Sequence, residues 1–329
     1  MKLKLLITAA IFSALGSSLI SAQAATDFEV PRTEWGHPDI QGVWNFASNI
    51  PLTRPRQFGD REYMTEEEAK VLAGMSEAAF EALNDEGVGG YNTFWVEQAG
   101  RGDNLRTSLI TYPVNGQFPP MVEGTEIQVG GLGPDFDGNR PVRTPVGGIA
   151  KNGPEDRGIS ERCIVGFNSG PPFTPSMYNN NVQIVQNNSH VVIMTEMIHD
   201  ARIVPLDSDQ QLDDGIRQWT GDSRGYWEGD TLVVETRNFN NLTQSFVVFG
   251  DAYDKILTEK FTRVDEFTVD YEFTVDDPST FTDKIVARIP MSKVDGLMYE
   301  YACHEGNYGM TNILRGERIT EQREAEAAN

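Results

Sequence analysis

Between Phe267 and Val275 the chain alternates without a break. Phe267, Val269, Tyr271, Phe273 and Val275 take one side, and Thr268, Asp270, Glu272 and Thr274 the other. A period of two belongs to an extended strand with one buried face and one wet face; a helix cannot use it. Similar short runs surround this one. Val182–Gln186 and Val191–Met194 read as strands across an Asn187-Asn188-Ser189 turn, and Ala201–Leu206 as another. Tyr226-Trp227 and Thr231–Glu235 flank Glu228-Gly229-Asp230, a tight hairpin. Ile256–Val264 pairs naturally with Phe267–Val275, and Ile285–Ile289 and Met298–Cys303 complete the series. Short strands at near-regular spacing predict a mainly β protein, an antiparallel barrel or sandwich.

The part before this series reads differently. Val43 to Phe46 is a first short strand after the turn-forming Trp35-Gly36-His37-Pro38-Asp39. Thr65 and Glu68 make a capping box, and Val71, Leu72, Met75, Ala79 and Leu83 follow at helical spacing until Asn84, Asp85 and Gly87 stop the helix. From Gly87 to about Pro175 the chain is dense in Gly, Pro, Asn and Asp, and reads as long packed loops able to wall a cleft. One domain is expected over 25–329. It comprises a strand, helix and loop region at 25–175, the main barrel at 176–316 and a charged tail at 317–329, solvated helix or frayed end.

Residues 1–24 have the form of a secretory signal. Lys2 and Lys4 precede an apolar run from Leu5 to about Leu19, and Ala22-Gln23-Ala24 offers a small-x-small cleavage site. The expected location is periplasmic or secreted, with no membrane insertion after cleavage. There are 49 Asp+Glu against 27 Lys+Arg, a formal charge of −22, which argues against nucleic acid and anionic membrane surfaces. The two cysteines, Cys163 and Cys303, most simply pair in an oxidising compartment. Closing so long a loop is worth about 3–5 kcal/mol on the chain-entropy model. A thiolate nucleophile or a metal ligand is the alternative.

Several segments carry residues able to do chemistry. Gly221-Asp222-Ser223-Arg224-Gly225 matches the pattern of a nucleophile elbow, but Trp219-Thr220 before it and a hairpin after it are the wrong context, so a glycine-rich turn is expected. Glu196, His199, Asp200 and Arg202 cluster at the end of an apolar strand; strand parity sets His199 apart from the other three. Tyr299-Glu300-Tyr301-Ala302-Cys303-His304-Glu305 reads as a strand with Tyr299, Tyr301 and Cys303 on one face and Glu300 and His304 on the other. His304 and His199 are candidates to transfer protons, with Glu196, Glu300 or Glu305 to orient them. Arg202 or Arg224 would hold an anionic group, and Trp44, Trp219, Trp227, Tyr299 and Tyr301 an apolar wall. His199, His304, Glu196 and Glu305 offer metal-ligand chemistry without a compact ligand motif. Gly130-Gly131-Leu132-Gly133 has no Lys-Ser or Lys-Thr behind it, and no dinucleotide fingerprint exists, so no cofactor is expected.

The segments Gly36-His37-Pro38-Asp39-Ile40-Gln41-Gly42-Val43-Trp44, Arg162-Cys163, Gly221 through Val234 and Cys303-His304-Glu305-Gly306-Asn307-Tyr308 resemble a family of exported bacterial proteins of unassigned function. That resemblance implies export and no particular reaction. Gly42-Val43-Trp44 is also similar to the G-x-W signature of lipocalins, which implies a lipocalin-like barrel. Two functions follow as expectations. One is an exported enzyme using metal-free acid–base chemistry, a hydrolase, lyase or isomerase, on a small aromatic or apolar molecule in a barrel cavity. The other is a periplasmic carrier of a hydrophobic ligand, with the same cavity and no proton-transfer pair. A structural or envelope-interaction role is the third reading.

Overall fold

The computed structural model describes residues 28–84, 97, 105–127, 150–208 and 210–328. The signal-like segment 1–24 and the run Gly130-Gly131-Leu132-Gly133 lie outside the described residues. The alternating runs become strands: β1 (Gly42–Asn45), β2 (Ile110–Tyr112), β3 (Asn181–Gln186), β4 (His190–Thr195), β5 (Ala201–Pro205), β6 (Asp222–Glu228), β7 (Thr231–Arg237), β8 (Ile256–Arg263), β9 (Thr268–Asp276) and β10 (Ile285–Lys293). They form one sheet in the order β5-β4-β3-β1-β10-β9-β8-β7-β6, and β2 pairs with β10 beside β1. All these pairings are antiparallel.

The sheet curls into a nearly closed barrel. The seam between β5 and β6 is a single parallel bridge, Leu206 to Gly225, with Asp207 N donating to Gly225 O at 2.9 Å. Gly225 permits this approach, because a Cβ there would stand 2.9 Å from a Val204 methyl. Ser223 lies inside β6 and shares a 2.8 Å hydrogen bond with Thr236. The expected glycine-rich turn at 221–225 is therefore mostly strand, and its second glycine serves barrel closure.

Val269, Tyr271, Phe273 and Val275 are buried to 1% exposure or less and point into the barrel with Trp44, Leu257 and Phe261. Each such apolar side chain contributes about 1.5–3 kcal/mol by leaving water. Phe267, the first residue of the alternating run, lies outside the strand and is exposed. At the upper end the N-terminal segment closes the barrel. Ile40 N donates to Gln186 Oε1 at 2.8 Å, and Arg263 Nη1 to Asp39 O at 3.0 Å. The lower end, where β3, β5, β6, β8 and β10 begin, is surrounded by the long loops.

Helix α1 (Glu66–Asn84) carries the expected capping box: Glu68 N donates to Thr65 Oγ1, and Thr65 N to Glu68 Oε2. Its Val71 and Met75 stay exposed. Helix α2 (Tyr308–Ala327) unites the end of the expected barrel region with the charged tail, and Asn307 caps it by accepting from Met310 N. The strand expected at Met298–Cys303 does not form. Residues 297–302 are irregular, and Cys303–Gly306 form turns. β10 already has β9 on one side and β1 and β2 on the other, so no edge remains there for another strand.

Candidate ligand cavity at the lower end of the barrel

The residues singled out in the sequence disperse. His199 ends a 3-10 turn, Met197–His199, in which Ile198 and His199 have φ of 63° and 47°. This turn breaks strand parity between β4 and β5. It brings the exposed His199 imidazole to the C-terminal segment, with Nδ1 3.3 Å from Tyr301 O and 3.9 Å from Glu300 Oε1. His199, Glu300 and Tyr301 thus do meet, at the surface. Tyr299 is 76% exposed, and His304 and Glu305 are exposed as well. With no strand at 298–303, the faces assigned to Tyr299, Tyr301 and Cys303 and to Glu300 and His304 have no counterpart. Cys163 and Cys303 form a disulfide with Cα atoms 5.7 Å apart. Among the described residues, no group of three or more His, Cys, Asp or Glu is placed to share a metal ion.

Glu196 faces Asn181, whose Nδ2 donates to its Oε2 at 2.8 Å. Partial burial, the larger cause, and the Glu97 carboxylate raise its pKa. Arg224 is held by Asp222 Oδ1 at 2.7 Å and by the carbonyls of Gln210 and Ser223. Arg202 points into the barrel and pairs with Glu259 through 2.5 and 3.0 Å bonds. Glu259 Oε1 also accepts from Tyr271 Oη at 2.7 Å, and Phe173 N donates to Tyr271 Oη at 3.2 Å. The guanidinium expected to take an anionic group is therefore committed to a structural pair. Trp44 is fully buried, with Nε1 donating to Ile40 O. Trp227 stacks on His37 with centroids 5.7 Å apart, and Trp219 lies under Arg162. These aromatics do not share one wall.

A cavity of about 410 Å³ opens at the lower end. Three loops wall it. The first carries Ile50 and Leu52 beside Leu109; it is fixed by Leu109 N to Pro51 O at 2.9 Å and Ile110 N to Leu52 O at 3.0 Å. The second runs through Ile159, Val165, Phe167 and Pro171-Pro172, and Cys163 within it is tied to Cys303. It drives Phe173, fully buried, into the barrel, where the ring stacks on Phe46 with centroids 5.0 Å apart. The third is the loop from β7 to β8. Ser245 N donates to Phe249 O and Ala252 N to Thr243 O, so the loop folds back on itself and presents Gln244, Ser245, Phe246 and Val248 to the cavity. The volume falls within the range of small-molecule sites, about 300–1,000 Å³.

The walls are mainly apolar, but three polar residues among those lining the cavity are almost wholly buried: Lys255 at 3% exposure, Gln244 at 7% and Ser245 at 1%. Lys255 Nζ donates to Ser245 O at 3.1 Å and to Gln244 O at 3.3 Å, and it lies 4.0 Å from the Phe239 ring centroid. Among the described residues no carboxylate lies within ion-pair distance of it. Burial pushes the ammonium pKa down to about 7, against the upward pull of the Asp277 and Glu259 charges. Among the described residues, Gln244 Nε2 and Ser245 Oγ have no hydrogen-bond partner. Leaving such buried groups unpaired costs about 1–3 kcal/mol each. The arrangement supplies an amine and two further donors at the edge of an apolar hole, which suits an oxygen acceptor on an otherwise apolar molecule.

Sequence reasoning passed over Lys255, though a signal was present. In β8 the buried positions are Leu257, Glu259, Phe261 and Arg263, and Lys255 has the same parity. Gln244 and Ser245 sit in an irregular loop with no periodicity to reveal them. Comparison with protein-family models finds no match for this chain, and comparison with curated proteins finds none either.

Proposed function

We propose that this protein is an exported binding barrel whose lower cavity takes a small, largely apolar organic molecule ending in a carbonyl or carboxylate oxygen. One observation carries the reading: the buried residues Lys255, Gln244 and Ser245 line an apolar cavity, and among the described residues Gln244 Nε2 and Ser245 Oγ have no hydrogen-bond partner. A ligand oxygen accepting from them would satisfy groups that otherwise cost stability. Export is supported by the signal-like residues 1–24 and by the Cys163–Cys303 disulfide. Among the described residues no helix is long and apolar enough to cross a membrane. The likeness of Gly42-Val43-Trp44 to the lipocalin signature agrees with a carrier barrel, but the weight rests on the cavity.

The test is calorimetric titration at pH 6 with 4-phenylbutyrate, benzylacetone and butylbenzene. The expected order puts the acid and the ketone at least about tenfold tighter than the hydrocarbon, about 1.4 kcal/mol or more. Val248→Trp, which fills the cavity from its rim, abolishes binding of all three. Equal affinity for all three, or binding unchanged by Val248→Trp, overturns the reading.

A further inference from the structure

We propose that Lys255 is a reactive amine, condensing with the aldehyde or ketone carbonyl of a molecule held in the cavity to form an imine. The inference rests on the cavity being a ligand site, and adds a covalent step to it. A lysine in a protein interior normally has a carboxylate within ion-pair distance; among the described residues this one has none, and it donates to two backbone carbonyls instead. A neutral amine has two N–H groups and one lone pair. The carbonyls of Gln244 and Ser245 accept both hydrogens, and the lone pair is left over. The burial that holds the ammonium near neutrality also keeps much of the amine unprotonated at pH 7.5. The residues that carry those carbonyls also line the cavity, and each holds a buried donor with no partner among the described residues: Ser245 Oγ–H and Gln244 Nε2–H.

The chemistry closes without an external oxidant or reductant. The Lys255 lone pair attacks the carbonyl carbon, forming a C–N bond while the C=O π pair moves to oxygen. Ser245 and Gln244 donate hydrogen bonds to that developing oxyanion. Two protons leave nitrogen and two reach the oxygen, which departs as water. The product is the imine C=N, with carbon and nitrogen at their original oxidation levels. Apolar walls provided by Ile50, Leu109, Val165 and Phe246 favour water release. Arg202, another buried cation of the barrel, lacks this capacity because Glu259 holds its guanidinium and because a guanidinium does not deprotonate.

The experiment uses the full mature protein with 3-phenylpropanal at pH 7.5, borohydride to reduce any imine to a stable secondary amine, and peptide mapping by mass spectrometry. The expected result is modification of Lys255 at least tenfold faster than of exposed lysines such as Lys284 and Lys293, and its loss in Val248→Trp. Adducts confined to surface lysines, or Lys255 labelling unaffected by Val248→Trp, overturn the imine proposal. Benzylacetone titration separates the two failures. Cavity binding without a Lys255 adduct removes only the covalent step. Absence of both removes the cavity reading as well.

Discussion

Two of the cations buried in this protein, Arg202 and Lys255, are treated in opposite ways. Inside the barrel, Arg202 meets Glu259 through two hydrogen bonds, and Tyr271 Oη donates to the same carboxylate. Around the pair the space is filled: Phe173, Phe261 and Tyr271 pack ring against ring. At the lower cavity, Lys255 meets, among the described residues, two carbonyl oxygens and an aromatic face, beside polar groups that have no partner there. The first arrangement compensates the cost of burying charge; the second leaves much of it standing. This contrast supports the proposed ligand site, in which a ligand oxygen would complete what the protein leaves open beside Lys255.

The comparison breaks most sharply at Glu259. Glu259→Gln leaves Arg202 buried without a countercharge, and the expected cost is about 3–5 kcal/mol in urea unfolding. Replacing both partners, Arg202→Met with Glu259→Leu, recovers most of that loss, because neither charge then needs solvating. A Glu259→Gln penalty below about 1 kcal/mol contradicts a structural role for the pair.

Lys255 sharpens the other side, and its sign is opposite. The folded pKa of about 7 lies below the ordinary 10.5. Between those values the unfolded chain binds more protons than the folded one, so wild-type stability climbs as pH rises through the window. Below pH 7 the full penalty of the buried ammonium applies. Lys255→Met lacks that penalty and is expected to be more stable than wild type at pH 6 by about 2–4 kcal/mol, allowing for the lost bonds to Gln244 O and Ser245 O. The difference closes towards pH 10, where the wild-type amine is neutral in the folded state, with Asp277 and Glu259 the charges facing it. Urea midpoints of the two proteins at pH 6 and pH 10 provide the measurement. A gap independent of pH removes the distinction between the two cations.

The same contrast shows what could be read from the residues alone. Strands announced themselves wherever apolar and polar residues alternate, because a barrel wall needs one face inward and one outward. Met298–Cys303 carried β-forming tyrosines and still made no strand, since propensity finds no expression without a free sheet edge. Arg202 was visible as an unusual charge beside an apolar strand, but its partner lies 57 residues away on β8, and only the closed barrel brings them together. The cavity was least legible of all. Its walls come from three irregular loops, whose mutual placement is set by Phe173 entering the barrel and by the Cys163–Cys303 link. The disulfide was readable by count, yet which loop it would steady was not.

The smallest expected effects fall on the histidines that attract attention first. His199 is exposed, and its contacts are a carbonyl at 3.3 Å and a carboxylate at 3.9 Å, also exposed. His304 is exposed in a turn. Exposed pairs of this kind contribute about 0–1 kcal/mol. His199→Ala and His304→Ala are each expected to shift unfolding free energy by less than about 0.5 kcal/mol. They should also leave 3-phenylpropanal labelling of Lys255 within about twofold of wild type, since neither side chain lines the cavity. Both numbers come from one preparation, by urea titration and peptide mapping. A tenfold fall in labelling in His304→Ala, with stability unchanged, would move the proton-transferring centre back to the C-terminal segment. Lys255 would then be a burial defect rather than the reactive group, and the contrast with Arg202 would concern stability alone.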